Sequence, residues 1–449
     1  MEIIENIKKK IDNPISSLKN SLHENIENLF DQNTFIQINP TYGLENSGVI
    51  CGYGKVNNKK VFSFIQNINS NSAAISKYHI EKILSLYDLA LKTGHPIVGF
   101  FDSFGADLEE GNSLFKSFSK LINISNKLSG VVPQIAVISG SCFGSCAVFA
   151  SCFDIILMNS EASLGLDIGG KNSDLEYIKN MGLSHIIGTK EKIMDDLKNI
   201  INLLPQNNIS TLPNNDFQNP GIIQNQSISQ TVINTFDKSS FIELQKGFGK
   251  HFSIGIATLF GRTIGAVISN YDSLEYIDAN SCTKAARFVR FCDSYSIPII
   301  TFIDAEKFMS LRETAKISSA YADSTSPKIT VITGKAYGSI YTSICSKGMS
   351  DITFGWNDTY VSFLPPKTAV EILWSDKLKS DGTNQRNHRE NITKEYMQKQ
   401  ASIIKAANDG LIDEVIHPSD TRHKLQEILD ILINKRERKI PKKHSNIQI

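Results

Sequence analysis

Two glycine-containing motifs of equal length carry the clearest chemical signal in this chain. The first begins at Pro133 and reads Pro-Gln-Ile-Ala-Val-Ile-Ser-Gly-Ser-Cys-Phe-Gly-Ser; the second begins at Pro327 and reads Pro-Lys-Ile-Thr-Val-Ile-Thr-Gly-Lys-Ala-Tyr-Gly-Ser. The β-favouring residues of each motif predict a strand, followed by a glycine turn and a helix. In the second motif, Gly334 and Gly338 are predicted to bracket that turn. Such a turn presents N–H groups with partial positive charge, which can stabilise a developing oxyanion.

Two turns of this kind predict two oxyanion sites, which suits a reaction between two activated groups that each carry a polarised carbonyl. The candidate donors are the backbone N–H groups of Gly144, Ser145, Cys146, Gly338, Ser339 and Ile340. A single glycine turn would be explained equally well by close packing of a strand on a helix, because small residues allow that packing. The repetition favours the functional interpretation and indicates that one fold was used twice.

The rest of the chain shows no conventional catalytic set. The 9 histidines are scattered, and the sequence contains no HExxH zinc motif, no GxSxG nucleophile motif and no P-loop. Asp107, Glu109 and Glu110 could form an acid–base or metal site, but a solvated loop face is the favoured interpretation. We therefore predict no metal, and chemistry that depends on backbone groups.

Composition predicts an ordinary globular protein. The chain has 449 residues, of which 41% are hydrophobic and 21% charged, and its net charge of +1 favours neither nucleic acid nor an anionic membrane as a partner. The 7 cysteines are irregularly spaced, which predicts reduced thiols and a cytoplasmic location, and the acidic N-terminus does not resemble a signal peptide. The uncharged stretch 128–153 is long enough to span a membrane. We reject that interpretation because the matching second motif contains Lys328 and Lys335.

The order of predicted elements is the same in the two halves: strand, strand, helix, strand, loop, helix, strand, glycine turn. The first half has predicted strands at 49–54, 60–65 and 97–101 and helices at 80–91 and 113–127. The second half has predicted strands at 254–260, 263–269 and 298–303 and helices at 282–295 and 313–323. Repeated strand–strand–helix (ββα) units with parallel strands predict an α/β superhelix rather than a doubly wound sheet.

The predicted domain boundaries follow from this repeat. Residues 1–40 form an amphipathic, helical lead-in, and residues 41–204 form the first domain. The polar segment 205–240, rich in Asn, Gln and Pro, is a linker, and residues 241–449 form the second domain. Within the second domain, residues 390–433 are predicted to be helical, and the basic tail 435–444 is predicted to be exposed.

Several collinear stretches resemble the carboxyltransferase (β-type) subunits of biotin-dependent acyl-CoA carboxylases and decarboxylases, such as propionyl-CoA carboxylase and methylmalonyl-CoA decarboxylase. The resemblance lies in the two glycine motifs and in residues 48–54, 102–111, 284–293, 369–373, 410–416 and 441–447. It covers nearly the whole chain. It implies two tandem crotonase-like ββα superhelical domains that assemble as dimers, commonly three to a hexamer, or with another carboxyltransferase chain.

The resemblance also implies a division of labour. The N-terminal half would hold a small acyl-CoA, with Gly144 and Ser145 at the thioester enolate. The C-terminal half would hold biotin on a separate carrier protein, with Gly338 and Ser339 at the ureido oxygen. A carboxyl group would move between biotin and the acyl α-carbon in one direction or the other. The remaining expected cofactor-binding residues are Gly105, Ala106, Cys146, Tyr337, Ile340 and Thr342.

The chain departs from the family pattern in its ligand-facing loops. The paired glycine of the family is Gly-Ser in both motifs, Phe104 replaces a glycine, Asp107 replaces an arginine, and the loop after Asp304 is shorter. Two other functions therefore stay open: a non-catalytic homologue paired with a more typical subunit, and a crotonase-type enzyme that uses CoA without biotin. The sequence contains no Met-Lys-Met biotinylation site, so any biotin must come from another protein.

Overall fold

The chain divides into two compact units, Met1–Pro213 and Asn214–Ile449, and the boundary falls inside the predicted linker. The computed structural model describes residues 21–40, 42, 48–66, 74–103, 105–167, 173–221, 227–269, 276–378, 385–437, 440–443 and 445–446. Predictions for residues 1–20 and for Phe104 lie outside this part of the chain.

The first unit is built on one sheet whose strand order is β1-β2-β3-β4-β5-β6-β8, with the short β7 beside β5. Its strands are β1 (Ile36–Ile38), β2 (Val49–Val56), β3 (Lys59–Gln66), β4 (Ile97–Ser103), β5 (Gln134–Phe143), β6 (Ile155–Asn159), β7 (Ser163–Gly165) and β8 (Ile186–Gly188). Its helices are α1 (Ser21–Leu29), α2 (Lys77–Thr93), α3 (Leu114–Leu128), α4 (Ser145–Ser151), α5 (Leu175–Asn180) and α6 (Lys190–Leu203). Strands β1 to β3 are antiparallel, and β3 to β6 are parallel.

The second unit repeats this sheet in the order β18-β16-β15-β13-β11-β10-β9, with β17 beside β15 and a separate β12–β14 pair. Its strands are β9 (Ile242–Leu244), β10 (Phe252–Leu259), β11 (Arg262–Ser269), β12 (Tyr276–Ile277), β13 (Ile299–Ala305), β14 (Lys307–Phe308), β15 (Lys328–Tyr337), β16 (Ile352–Trp356), β17 (Tyr360–Ser362) and β18 (Glu414–Ile416). Its helices are α7 (Ile228–Ile233), α8 (Ala279–Ser294), α9 (Leu311–Asp323), α10 (Pro366–Leu373), α11 (Gln385–Tyr396), α12 (Ile403–Asn408) and α13 (Thr421–Leu432). The predicted repeat of ββα units is confirmed.

The motif strands β5 and β15 form because their sequences are apolar on both faces, as is typical of strands in the middle of a parallel sheet. Ile135 and Ile138 of β5 are buried, as are Ile329 and Ile332 of β15. Each motif strand pairs with a neighbour on both sides. The uncharged stretch 128–153 therefore forms β5, the turn and α4. Among the helices that the structure describes, none combines the length and the hydropathy that a membrane crossing requires.

The first domain begins earlier than predicted, because part of the expected lead-in belongs to its sheet. Helix α1 ends at Leu29, and β1 then pairs antiparallel with β2, with Ile36 opposite Tyr53. The segment between them, Phe30-Asp-Gln-Asn-Thr-Phe-Ile36, is repeated as Phe236-Asp-Lys-Ser-Ser-Phe-Ile242 ahead of β9. The helix therefore ends at Leu29, well before residue 40, and the residues that follow it form a second internal repeat.

The aspartate of this second repeat holds the hairpin that opens each sheet. Asp31 accepts the N–H groups of Asn57 and Asn58 at 3.0 and 2.9 Å, in the turn between β2 and β3. Asp237 accepts the N–H groups of Phe260 and Gly261 at 3.0 and 2.8 Å, in the turn between β10 and β11. A carboxylate that takes two backbone donors fixes the position of the hairpin.

The predicted linker 205–240 is anchored to both units. Asn207 donates from Nδ2 to the carbonyl of Gly94 at 2.8 Å, which satisfies a group at the end of α2. The N–H of Asn208 donates to Val131 at 3.0 Å, and on the other side of the boundary the N–H of Asn215 donates to Gly261 at 2.9 Å. These polar residues are therefore hydrogen-bonding partners of the units, which composition alone does not reveal.

One prediction for the C-terminal region was wrong. Residues 390–433 are not helical throughout, because Gly410 adopts φ +70° and the following residues form β18, which pairs with β16. The described residues of the basic tail are exposed as predicted, except for Lys435, which is partly buried, and two of its lysines form ion pairs. Lys435 has 13% of its side chain exposed and lies 2.8 Å from Asp351, and Lys442 lies 2.8 Å from Asp323.

Arg422 links helix α13 to the second hairpin, and we predict that it is a major contributor to the stability of the second unit. Its guanidinium lies 2.6 Å from Asp237, with 13% and 2% of the two side chains exposed, and it stacks on Phe260. Arg422→Met leaves the Asp237 carboxylate buried without its cation, so we expect a loss of about 3–5 kcal/mol in the free energy of unfolding.

Urea denaturation would measure this loss. Arg386→Met is the matched control, because the Arg386–Glu390 pair is on the surface, with 89% and 56% of the side chains exposed. Exposed pairs are worth at most about 1 kcal/mol. Equal effects of the two substitutions would contradict the prediction.

Candidate functional site

The first glycine turn joins β5 directly to α4. Strand β5 ends at Phe143, Gly144 adopts φ +59° and ψ −133°, and α4 begins at Ser145. The N–H of Gly144 donates to the carbonyl of Gly165 in β7 at 3.1 Å. Within the described part of the chain, the N–H groups of Ser145 and Cys146 have no acceptor. They are therefore the donors that this turn offers to a ligand.

The second glycine turn has the same construction. Strand β15 ends at Tyr337, Gly338 adopts φ +46°, and its N–H donates to the carbonyl of Ser362 in β17 at 2.9 Å. The N–H groups of Ser339 and Ile340 have no acceptor among the residues that the structure describes. After them the chain forms a π-helical turn, Tyr341–Cys345, where the first motif has an α-helix. The two motifs thus present matching pairs of amides.

The prediction that the two turn glycines are oxyanion donors needs a correction. Gly144 and Gly338 were predicted to contribute their N–H groups, but both groups are already bonded to a neighbouring strand. Their contribution is conformational, since side chains rarely occupy these backbone angles. At Gly338 an added Cβ would also lie 2.9 Å from the carbonyl oxygen of Phe363, whereas at Gly144 the nearest atom would be the Leu166 oxygen at 3.8 Å.

The earlier glycine of each motif lies inside the strand and not in the turn. A Cβ on Gly140 would lie 2.1 Å from the carboxylate of Asp102, and a Cβ on Gly334 would lie 2.2 Å from the carboxylate carbon of Asp304. The prediction that Gly334 brackets the turn is therefore wrong. These glycines make room for a carboxylate that crosses over the strand.

The two crossing carboxylates have equivalent hydrogen bonds. Asp102 accepts the N–H of Ser141 at 3.0 Å, and Asp304 accepts the N–H of Lys335 at 2.8 Å. Burial raises the pKa of Asp102, while the hydrogen bond from the Ser141 N–H partly opposes that shift. Each aspartate ties the end of its own strand to the motif strand just before the turn.

The loop after β4 contributes one more backbone group. Gly105 adopts φ +118°, and its carbonyl accepts the N–H of Ile75 at 2.8 Å. The N–H of Asp107 donates back to the carbonyl of Ile75 at 3.1 Å. Ala106 therefore lies between two residues that hydrogen-bond to Ile75, and its own amide is not part of that pairing. Ala106 is exposed. Its N–H has no acceptor in the described residues, so it remains a candidate donor.

The acidic residues of this loop have structural partners. Asp107 accepts the N–H of Glu109 at 3.0 Å, and Glu110 accepts the N–H of Lys77 at the start of α2 at 2.9 Å. No group of three or more His, Cys, Asp or Glu within the described residues could hold a metal ion.

The remaining predicted residues differ in what they can offer. Tyr337, Cys146 and Ile340 are buried, so their side chains belong to the core. Ser145, Ser339 and Thr342 are exposed. Thr342 hydrogen-bonds through Oγ1 to the carbonyls of Gly338 and Ser339 at 3.3 Å. The serine that replaces the second glycine in each motif is thus on the open side of its turn.

The profile of the carboxyl transferase domain family matches residues 19–171 and 175–447. This chain belongs to that family. It is 30% identical to a propionyl-CoA carboxylase carboxyltransferase subunit of Haloferax mediterranei, over 96% of this chain and 94% of that protein. It is 28% identical to the methylmalonyl-CoA decarboxylase subunit alpha of Veillonella parvula, over 98% and 95% of the two chains.

A solved structure of transcarboxylase 12S superimposes with a TM-score of 0.86 at 25% identity, covering 98% of this chain and 95% of that one. That protein is described as a hexamer with methylmalonyl-coenzyme A and methylmalonic acid bound. The likeness confirms the expected fold of two tandem crotonase-like domains and the expected family.

The strand glycines lead to a prediction about stability. Gly334→Ala places a methyl group against the Asp304 carboxylate, so we expect a loss of about 1–3 kcal/mol in the free energy of unfolding from overpacking. Gly348→Ala is the control, because nothing lies within 4 Å of the added methyl group. Denaturant unfolding compares the two variants, and an unchanged midpoint for Gly334→Ala would refute the crossing arrangement.

Proposed function

We propose that this chain is a carboxyltransferase that moves a carboxyl group between biotin and the α-carbon of a small acyl-CoA. Two observations together support this proposal. The chain is similar over nearly its whole length to carboxylase and decarboxylase subunits, and both glycine turns keep a pair of amides that have no acceptor among the described residues. Carboxylation and decarboxylation are this same transfer run in opposite directions.

In this proposal the first turn binds the thioester. The N–H groups of Ser145 and Cys146, with that of Ala106, donate to the thioester oxygen as negative charge develops there. Such donors are most effective when they are held in place before the reaction begins. The hydrogen bond from Gly144 to Gly165 provides that, since it fixes the peptide that precedes both donors.

The second turn binds the ureido oxygen of biotin. The N–H groups of Ser339 and Ile340 fit a neutral carbonyl acceptor, and Ser339 and Thr342 are exposed beside them. Biotin supplies a ring nitrogen that carries the carboxyl group and can also accept a proton. This role fits a turn that offers hydrogen-bond donors without a histidine or cysteine nucleophile of its own.

Biotin would arrive on a separate carrier protein, because this chain has no biotinylation motif. We also propose that the chain forms a homo-oligomer built from dimers, or an assembly with another carboxyltransferase chain. The transcarboxylase 12S hexamer supports this. All 7 cysteines are free thiols, which supports the proposed cytoplasmic location.

The direct test is an assay of the purified protein with methylmalonyl-CoA and free biotin. We expect propionyl-CoA to form, detected by chromatography, at a rate that depends on biotin. Turnover at the same rate without biotin would favour a crotonase-type enzyme. Binding of acyl-CoA with no turnover, even with a biotinylated carrier protein, would favour a non-catalytic subunit.

Two matched variants test the division between the turns. Gly144→Val displaces the donors at the thioester, so we expect kcat for methylmalonyl-CoA to fall by about 10²–10³, the usual effect of losing an oxyanion donor. Gly338→Val displaces the donors at biotin, so we expect KM for biotin to rise while the affinity for acyl-CoA is kept. Equal loss of both substrates in both variants would contradict the division.

A further inference from the structure

A cluster of buried polar side chains lies directly behind the first turn. It consists of Gln66 at the end of β3, His79 in α2 and Cys146 in α4, which are 5%, 0% and 1% exposed. The amide nitrogen Nε2 of Gln66 lies 3.2 Å from Nε2 of His79 and 3.7 Å from Sγ of Cys146. Polar side chains are rarely buried in a core without hydrogen-bonding partners.

The hydrogen bonds fix the orientation of the Gln66 amide. Its oxygen Oε1 accepts the N–H of Asp102 at 3.0 Å, so its nitrogen must face the two other partners. The amide nitrogen can only donate, so Nε2 of His79 accepts. One side chain thereby joins the ends of β3 and β4 to α2 and to the first turn of α4.

The second unit keeps only part of this arrangement. Ser269 ends β11 as Gln66 ends β3, and its Oγ accepts the N–H of Asp304 at 2.7 Å. The third residue of α8 is Ser281 where α2 has His79, and Ile340 takes the place of Cys146. The link to the aspartate is common to both units, whereas the amide–imidazole–thiol cluster belongs to the first.

We infer that Gln66 is a positioning residue that holds the Cys146 amide on the thioester oxygen of the acyl-CoA. This rests on the proposed function of the first turn. An enolate places a full negative charge on that oxygen. Donors that are held rigidly stabilise such a charge most strongly, because they need not reorganise as it develops. Gln66 provides that rigidity, because its contact with Cys146 restrains the residue that carries the donor. In the proposed function the second turn binds a ureido oxygen, which carries less charge, and it has the apolar residue Ile340 at the position of Cys146.

The test compares binding of a neutral ligand with binding of an anionic one. The neutral probe is propionyl-CoA, and the anionic probe is a CoA thioether in which a nitronate replaces the enolate. For Gln66→Leu we expect the Kd of the nitronate to rise by about tenfold or more, with the Kd of propionyl-CoA changed less than twofold. Calorimetric titration measures both.

Gln134→Leu is the matched control for a general loss of stability. Gln134 is a fully buried glutamine in the same unit, hydrogen-bonded to Tyr87 and Ser125 at the opposite end of β5 from the turn. We expect it to leave both affinities unchanged. Gln66→Met, which keeps the length of the side chain, replaces Gln66→Leu if that variant does not fold.

The outcomes separate this inference from the function on which it rests. Equal weakening of both probes by Gln66→Leu, or no weakening of either, would overturn the positioning role. A wild-type protein that binds neither probe would overturn the acyl-CoA site and the inference with it. A wild-type protein that binds both probes but transfers no carboxyl group would remove the proposed function, while the difference between the probes would still support Gln66.

Discussion

The hydrogen bond from a glycine amide to a short neighbouring strand is the constraint on which both sites depend. Gly144 donates to Gly165 and Gly338 donates to Ser362, at the point where each motif strand ends. Each bond holds the chain in a conformation that glycine accepts and other residues rarely do. The bond uses up the glycine amide, and the next two amides have no acceptor in the part of the chain that the structure describes. Backbone geometry thus selects the donors, and side chains have a supporting role.

The aspartates reinforce this constraint from the other side. Asp102 and Asp304 reach over the motif strands at Gly140 and Gly334 and accept an N–H shortly before each turn. The turn is therefore held by the strands on both of its flanks. This explains why each motif needs two glycines for two different reasons, one for space and one for backbone angle.

Duplication followed by divergence accounts for the differences between the units. The sheet order, the hairpin aspartates Asp31 and Asp237 and the glycine hydrogen bonds are shared. The differences lie around the turns, where α4 contrasts with a π-helical turn and the Gln66 cluster contrasts with the serines Ser269 and Ser281. A common scaffold with different surroundings is what two chemically different ligands require. Under the proposed function these ligands are an enolate oxygen and a ureido oxygen, which differ in charge but can accept the same kind of backbone donor.

The sequence predicted the features that depend on local pattern. Buried parallel strands are apolar throughout, and the motifs at Pro133 and Pro327 therefore identified both β5 and β15 with their turns. Contacts that depend on tertiary structure could not be predicted in this way. The role of Gly140 depends on a carboxylate from another strand, and Gln66 and His79 have no motif spacing that marks them. The strand β18 was missed because its three residues follow a helical pattern closely, with Gly410 as the sole signal.

The proposed function places the thioester at the first turn and not at the second. A crystal structure of the protein with methylmalonyl-CoA tests this most directly. We expect the thioester oxygen to lie about 3 Å from the amide nitrogen of Ser145 or Cys146. A thioester bound at Ser339 and Ile340, or bound away from both turns, would contradict it.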